Sequence, residues 1–570
     1  MFTVDKLLAE HHPQLYNKPW ISKPTCLFLR YILKEREINT FIEQYPHLEG
    51  LDFVEQILEH FDFSFSVSGN EKEYIPPLGR LIIAANHPIG SLDGLTLIKL
   101  VSEVRKDIRV LTNDKLIPIK PLHSILISNE HLNNKDKQYQ NTTKTCKSTI
   151  DQHLQNEGAL IIFPAGEVSR LKPHGIRDCR WKTHFLQIAL SAKSPILPIY
   201  IDGKNSSLFY TASMLYKPLA TLLLISEMFK HRTKRLPIRI GELIAFDSYS
   251  TSNIPLPQIA KLFKKHIYRL GEGKATIFKT QKPIAPAENR QALSQAIKQC
   301  EQLGETGDGK EILLYRYTSS SPLMREIGRL REIAFRAVGE GSNKRRDIDQ
   351  YDANYFHLVL WDSNDLEVVG AYRLGDAKQL AKQRNNQLYS ATLFNYTDKM
   401  TPYFEQGLEL GRSFIQPKYW GKRSLDYLWY GIGAFLRHHP QYRYLFGPVS
   451  LSNSLPDSAK DLIVCFYQLY FGDKRELATP KRTYQASSAT TNFFSGNDYK
   501  NDFIKLKSLL NNMDAAIPTL YKQYTETYQD DGVHFLGFSV DPEFNYCVDG
   551  LVLADLNMLK EKKKKRYMSD

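Results

Sequence analysis

The chain is poor in cysteine, with six thiols in 570 residues, at Cys26, Cys146, Cys179, Cys300, Cys465 and Cys547. No two stand at the spacing of a metal-ligand pair or a disulfide framework, which argues against a metal centre and for a reducing compartment. Long apolar runs are also missing. A bilayer-spanning helix needs ~20 apolar residues in succession. The closest approach, Leu219–Met228, is broken by Thr221, Ser226 and Glu227. It reads as a core helix, or as a shallow contact with a membrane or an acyl chain. Met1-Phe2-Thr3-Val4-Asp5-Lys6 shows no basic segment leading into an apolar stretch, so no signal peptide is expected. Internal repeats and extended low-complexity segments are absent, which excludes a solenoid or a linker-dominated chain. Acidic residues are in deficit, 62 against 75 Lys and Arg, for a formal net charge of +13. Such a surplus attracts anionic lipid, an acidic carrier protein or nucleic acid.

What is present is a folded composition, 42% apolar and 12% aromatic, in a chain too long for one core. Residues 1–75 mix aliphatic and aromatic residues with Lys and Glu and read as a helical extension, covering a sheet or resting on a membrane. From 76 to 278, short apolar strands (Leu81–Ala85, Ile108–Leu111, Ala159–Phe163, Ile196–Ile201, Ile238–Ile244) alternate with helices (Leu92–Arg105, Lys144–Gln155, Trp181–Ala192). That grammar predicts an α/β domain with a mostly parallel sheet. Residues 279–310 read as a connector: Pro283, Pro286, a helix striped by Leu293, Ile297, Cys300 and Leu303, then a Gly307-Asp308-Gly309 turn. Residues 311–570 follow an α+β pattern. A helix over Leu323–Val338 precedes a hairpin, Tyr355–Trp361 with Glu367–Arg373, turning at Asp362-Ser363-Asn364-Asp365. A strand Gly407–Ile415, a helix Leu425–His438 and a strand Tyr444–Val449 come next.

The chemistry of the first half gathers at strand ends. Asn86-His87-Pro88-Ile89-Gly90-Ser91-Leu92-Asp93 follows Leu81–Ala85, placing a histidine at the carboxyl end of a strand and an aspartate in the first turn of a helix. A histidine oriented by a carboxylate can take a proton from a hydroxyl. Phe163-Pro164-Ala165-Gly166-Glu167 and Asp202-Gly203-Lys204-Asn205 close two further strands. Three polar loops at strand ends point to one cleft. This ordered set resembles the glycerolipid (lysophosphatidate-type) acyltransferases over roughly residues 75–245. The resemblance implies His87 as general base, Asp93 as its orienting acid, and Phe163, Pro164, Ala165, Gly166 and Glu167 as the acceptor-lipid block. The His-to-Asp loop is one residue longer than the usual family spacing. With the Ala-Gly-Glu variant, it resembles the hemolysin-like and ornithine-lipid O-acyltransferase branch.

The second half carries Arg331 and Phe335 on a helix, then Asp347-Ile348-Asp349-Gln350-Tyr351-Asp352. Val369-Gly370-Ala371-Tyr372-Arg373 and Glu409-Leu410-Gly411-Arg412 follow on strands. This order resembles the GNAT superfamily over roughly residues 311–455. It is closest to the branch that takes acyl groups from acyl carrier protein, the autoinducer synthases and ornithine-lipid N-acyltransferases. The implied roles are Glu409 as base for the attacking amine, Asp352 as counter-charge to an ammonium, and Arg373 and Arg412 as carboxylate or loop holders. Trp420, Gly421, Lys422 and Arg423 stand where the acyl-donor turn is expected. Only one glycine of the usual turn is kept, and Arg423 takes the second small position. A carrier protein, which delivers only a phosphopantetheine arm, suits that turn better than free coenzyme A. In the tail, His534 and Asp541 are left open, and Lys560–Arg566 forms a basic cluster that is either a solvated end or a dock for anionic phospholipid.

Together the halves resemble bifunctional ornithine-lipid synthases. The second half is expected to N-acylate an amino acid, ornithine first with glycine, lysine and glutamine open, using a 3-hydroxyacyl thioester. The first half is expected to O-acylate the lyso-lipid hydroxyl. No bound cofactor or metal is implied. The implied partners are acyl carrier protein (acyl-CoA being the other donor), the amino acid and lyso-lipid substrates, and an anionic membrane. The enzyme would sit peripherally on the inner face of a bacterial cytoplasmic membrane. The alternative is a lysophospholipid O-acyltransferase (1-acylglycerol-3-phosphate type) carrying a non-catalytic GNAT-like module. A nucleic-acid-binding protein leaves the ordered loops unexplained.

Overall fold

A computed structural model describes residues 3–5, 9, 19–32, 34–112, 120–128, 140–215, 217–251, 253–317, 321–383, 387–487, 490 and 493–568. The chain forms two compact units, Met1–Pro283 and Ile284–Asp570.

The first unit opens with helices α1 (Pro19–Ile32), α2 (Glu35–Gln44) and α3 (Gly50–His60). Its strands are β1 (Ser64–Val67), β2 (Leu81–Ala85), β3 (Ile108–Thr112), β4 (Leu126–Ser128), β5 (Ala159–Ile162), the hairpin β6 (Arg170–Lys172) and β7 (Gly175–Arg177), β8 (Ile196–Ile201), β9 (Arg235–Ile240), β10 (Leu243–Ile244) and β11 (Thr280–Gln281). The main sheet runs β1-β9-β8-β2-β5-β3-β4. Its central pairs are parallel, and β8 meets β9 and β10 antiparallel. Helices α4 (Ser91–Ser102), α5 (Gln140–Gln155), α6 (His184–Ser191), α7 (Ser207–Leu215), α8 (Lys217–Lys230) and α9 (Leu256–Gly271) complete the unit. Every residue of β2 is buried because both sheet faces are covered. Leu81, Ile83 and Ala85 face a core shared with α3 and α4, whereas Ile82 and Ala84 face α6 and α9.

Three elements differ from the sequence pattern. The helical extension ends in a strand, β1, which joins the sheet edge in parallel to β9. The strand expected over 238–244 is two strands parted at Gly241, where a side chain would press on Pro198. β4 is three residues long, too short for a period to show.

The second unit carries an eight-stranded sheet ordered β12-β13-β14-β15-β17-β18-β21-β20. These are β12 (Glu301–Glu305), β13 (Glu311–Arg316), β14 (Phe356–Asp362), β15 (Glu367–Asp376), β17 (Gly407–Ile415), β18 (Tyr444–Leu451), β20 (Val533–Asp541) and β21 (Cys547–Asp555); β16 (Phe394–Tyr396) and β19 (Ala478–Pro480) pair separately. The longer helices are α10 (Arg290–Ile297), α11 (Pro322–Ala337), α12 (Ser424–His438), α13 (Asp457–Phe471), α14 (Tyr499–Asn511), α15 (Thr519–Thr527) and α16 (Glu561–Met568). The helix read across Leu293–Leu303 stops at Ile297, and Leu303 lies in β12, paired with β13. The expected connector thus supplies α10 and the first strand of this unit's sheet. Its apolar positions fit a short helix and a strand in succession, which periodicity alone does not separate.

One topological feature creates the second site. Among the described strands of this sheet β17 and β18 are the only parallel neighbours, and they pair from Gly407↔Tyr444 to Glu409↔Phe446. Beyond that point β17 stays on β15 and β18 stays on β21, so the sheet opens between them. A bulge in β17 opposite Ala371–Arg373 turns Arg412 into the left-handed region at φ 52°.

Candidate active site

In the first unit, parallel strands β2, β5 and β8 end at one edge, and their loops meet there. His87 Nδ1 lies 3.1 Å from Asp93 Oδ2. The same oxygen accepts the backbone N–H groups of Ile89 at 2.8 Å and Gly90 at 3.0 Å. This fixes the carboxylate against the loop and orients the imidazole. Gly90 makes the loop possible. At φ 119° it holds a conformation that L side chains rarely adopt, and a Cβ there would stand 3.2 Å from Leu224 of α8. Asp93 is fully buried, while the His87 side chain keeps 18% of its surface exposed. His87 Nε2 has no protein partner among the described residues. The ring packs at 4.3 Å on Phe163, the first residue of the second loop.

The loop backbone is clamped from several sides. Asn86 exchanges two hydrogen bonds with Ile201 at the end of β8. Asn205 donates to the Ile89 carbonyl at 3.0 Å and is itself met by His231 at 3.1 Å. Asp178 accepts the His87 N–H at 3.2 Å, the Trp181 indole at 2.8 Å and the Ser169 hydroxyl. Ser169 N–H in turn donates to the His87 carbonyl at 2.7 Å. Asp178 is the positioning residue that sequence reading misses. It lies in a charged hairpin exit, Arg177-Asp178-Cys179-Arg180, with no motif around it. Within the Phe163–Glu167 block, Pro164 and Ala165 are buried, Gly166 turns at φ 68° and Glu167 pairs with Arg170 at 3.2 Å. Val168, Phe209 and Tyr210 form an apolar cluster with Leu223 and Leu224 beside this loop. A base at a sheet edge next to apolar walls can activate a hydroxyl carried on a lipid.

The second unit brings together Arg331, Asp347, Asp349, Asp352, Arg373 and Arg412. Asp352 accepts from Arg331 at 3.1 Å, from Arg373 at 3.0 Å and from the Asp349 N–H at 2.8 Å. Arg373 also donates to Asp349 at 2.7 Å, and Arg412 stands 3.4 Å from Asp347. Burial pushes the Asp352 carboxyl up, but the Arg331 and Arg373 guanidinium groups outweigh it and hold the carboxyl below the usual range. Asp349 is held low in the same way, with Arg373 foremost against burial. Burial drops His357 to about 4.

Two expected roles change with this geometry. Asp352 has both oxygens occupied by the network, so it braces Arg331 and Arg373 and does not present itself to a substrate ammonium. Glu409 is buried with three donors on its carboxylate: the Tyr355 hydroxyl, Tyr389 N–H at 3.1 Å and Ser390 N–H at 2.7 Å. It anchors the turn at Tyr389–Thr392, which no motif marks. Arg412 and Arg373 both lie over the Tyr389 ring, at 4.7 and 5.2 Å. Trp420, Gly421, Lys422 and Arg423 form an exposed turn that opens α12, with Trp420 Nε1 on the Ile415 carbonyl at 2.8 Å and Gly421 at φ 74°. Among the described residues no His, Cys, Asp and Glu cluster could hold a metal ion, and no helix is long and apolar enough to cross a membrane. Cys26, Cys179, Cys300, Cys465 and Cys547 are free thiols.

Comparison with known proteins follows the same division. A family model described as Acyltransferase matches residues 6–273, and one described as Acetyltransferase (GNAT) domain matches residues 330–430. A glycine N(alpha)-acyltransferase of Phocaeicola vulgatus is 32% identical over 274 residues, 45% of this chain and 83% of that protein. A lyso-glycine lipid O-acyltransferase of Bacteroides thetaiotaomicron is 30% identical over 277 residues, 47% of this chain and 97% of that protein. An L-ornithine N(alpha)-acyltransferase of Rhizobium meliloti is 32% identical over 114 residues, 19% of this chain and 38% of that protein. The chain belongs to the acyltransferases, a bifunctional member with an O-acyltransferase domain and a GNAT N-acyltransferase domain on one polypeptide.

Proposed function

We propose that the protein makes a two-chain aminolipid free of phosphorus. The second unit transfers a 3-hydroxyacyl group from a carrier-protein thioester, with coenzyme A as the other donor, to the amino group of an amino acid. The first unit then acylates the 3-hydroxyl of that lyso-lipid. The resemblance to ornithine-lipid synthases favours ornithine. The relatives matched over most of their own length act on glycine by name, and this moves glycine ahead of ornithine.

The observation that carries the reading is the His87–Asp93 pair, with Nε2 left unpartnered beside Phe163 and an apolar cluster. His87 Nε2 takes the proton of the lipid hydroxyl as its oxygen attacks the thioester carbonyl. Asp93 stabilises the imidazolium, which returns the proton to the departing sulfur. The exposed turn at Trp420–Arg423 offers Lys422 and Arg423 to the phosphopantetheine arm and the acidic carrier. Peripheral membrane contact is supported by α1, which leaves Trp20 93% and Tyr31 76% exposed beside Leu27 and Phe28, and by exposed Leu208 and Met214 of α7.

Expression in a bacterium that makes no aminolipid, followed by lipid extraction and mass spectrometry of ninhydrin-positive species, tests this. Wild type should yield a head group bearing two chains. His87→Ala should lose O-acylation by roughly 10²–10⁴-fold and accumulate the one-chain form. A two-chain lipid at wild-type level in the variant would remove His87 from the mechanism.

A further inference from the structure

The second unit holds another charged cluster that neither the motifs nor the ion-pair network absorbs. Asp549 of β21 is 3% exposed. Its Oδ1 accepts from the Ser450 hydroxyl on the facing strand β18 at 2.9 Å, and its Oδ2 meets the Cys547 thiol at 3.7 Å. No ion pair reaches it among the described residues. Asp541, on the neighbouring strand β20, accepts the backbone N–H groups of Glu543 and Phe544 and the Tyr389 hydroxyl at 3.1 Å. Glu340, in the turn after α11, faces the same group and also lacks an ion pair among the described residues. The remaining titratable neighbours are Arg412 of β17, Cys547 of β21 and Tyr521 of α15.

Tyr389 joins this acidic side to the basic one. Its ring lies under Arg373 and Arg412, and its hydroxyl is on Asp541. Arg373 is 1% exposed, yet its Nε and Nη2 have no hydrogen-bond partner among the described residues. A buried guanidinium edge left unpaired is costly unless a ligand completes it. An open guanidinium edge on one side and a carboxylate without an ion pair on the other complement a zwitterionic amino acid. The cluster also sits where β17 and β18 part, with Arg412 on one strand and Ser450 on the other.

We propose that Asp549 is the proton acceptor for the substrate amino group in N-acyl transfer, with the substrate carboxylate directed to the unpartnered edge of Arg373. This rests on the N-acyl-transfer reading above. The ammonium gives one proton to Asp549, and the freed amine attacks the thioester carbonyl. The C–N bond forms, the C–S bond breaks, and the sulfur leaves as a thiol with a second proton from the nitrogen, which keeps its third in the amide. Asp549 passes its proton to solvent by way of Glu340. Glu409, whose carboxylate holds the Tyr389 turn, is then a positioning residue. Burial, followed by the neighbouring Asp541, pushes Asp549 up to about 7, and burial pushes Glu340 up to about 8. Such groups are matched to proton transfer near neutral pH.

The test uses the full-length protein, an acyl thioester and glycine or ornithine, with thiol release and N-acyl product followed from pH 6 to 10. Asp549→Asn should lose at least roughly 100-fold at pH 7. The deficit should narrow as pH rises and the amine loses its proton unaided, and Asp549→Glu should restore part of the rate. Ser450→Ala, which strips a donor from the ionised carboxylate, should move the acidic limb of the profile upward. A wild-type rate and profile in Asp549→Asn overturns the assignment. If that variant does not fold, an unmoved limb in Ser450→Ala overturns it. Wild-type protein that forms no N-acyl product overturns the N-acyl-transfer reading itself, and Asp549 with it.

Discussion

In the first unit one buried carboxylate, Asp93, serves one imidazole, whereas in the second three aspartates, the buried Asp347 and Asp352 and the half-buried Asp349, serve three arginines. The first arrangement is local. Asp93 lies six residues from His87 and takes its other hydrogen bonds from the backbone of the same loop. It rests on neutral donors and a glycine turn, so removing the histidine leaves no unpaired cation behind. The second arrangement is long-range. Arg331 and Arg373 each reach Asp352 across 21 residues, and Arg412 reaches Asp347 from a different strand. There the charges are packed among one another, most of them buried, and removal of one takes a partner from its neighbours. The dyad proposed for catalysis and the ion-pair network can thus share residue types and differ in what their loss does.

The sharpest way to break this contrast is Arg331→Ala. It takes from the buried Asp352 one of its two guanidinium partners and should lower the stability of the second unit by about 3–5 kcal/mol in denaturant unfolding. His87→Ala should change the stability of the first unit by less than about 1 kcal/mol while abolishing O-acylation. Equal losses in both units would erase the distinction. Acid sharpens it further. Asp349 and Asp352 have folded-state values below the ordinary carboxylate range, so their stabilisation is complete above about pH 4 and is lost as pH falls through those lowered values. Circular dichroism on acid titration should then show the wild-type second unit failing where the Arg331→Ala variant has already failed. Next in size is Gly90→Ala, which places a side chain at φ 119° against Leu224 and should cost about 1–3 kcal/mol. A melting curve that does not move would show that the loop has another conformation available.

The smallest effect concerns the tail. Lys560–Arg566 is no frayed end: α16 docks on α12, with Tyr567 buried, its hydroxyl on Asp426 at 2.8 Å and Arg566 paired to the same carboxylate. Lys562 and Lys564 stay exposed. Exchanging these two for Glu should weaken binding to anionic vesicles at low salt, by about 1 kcal/mol for each cation removed. Unchanged binding would leave α16 a packing element only.

The parts most legible in the sequence are those written over short distances. Leu81–Ala85 declares a buried strand by its unbroken apolar run, and the polar loop after it declares a site because the fold must bring parallel strand ends to one edge. The Phe163–Glu167 loop followed by the same logic. Asp178, Tyr389 and Asp549 were silent because their partners lie 91, 152 and 99 residues away. No local period records such a pairing. The surroundings of Glu409 are silent for a related reason. Its strand is legible, but its three donors come from segments remote in sequence.

From its residues alone this chain specifies two acyl-transfer halves, the alternation of strands and helices in the first, and the histidine–aspartate loop, since hydrophobic period and nearest-neighbour loop chemistry act within a dozen residues. Which carboxylates stay unpaired, which arginines keep an open edge and where the second sheet parts emerge only on folding. These depend on the low dielectric and the close approach of segments that the linear order keeps far apart.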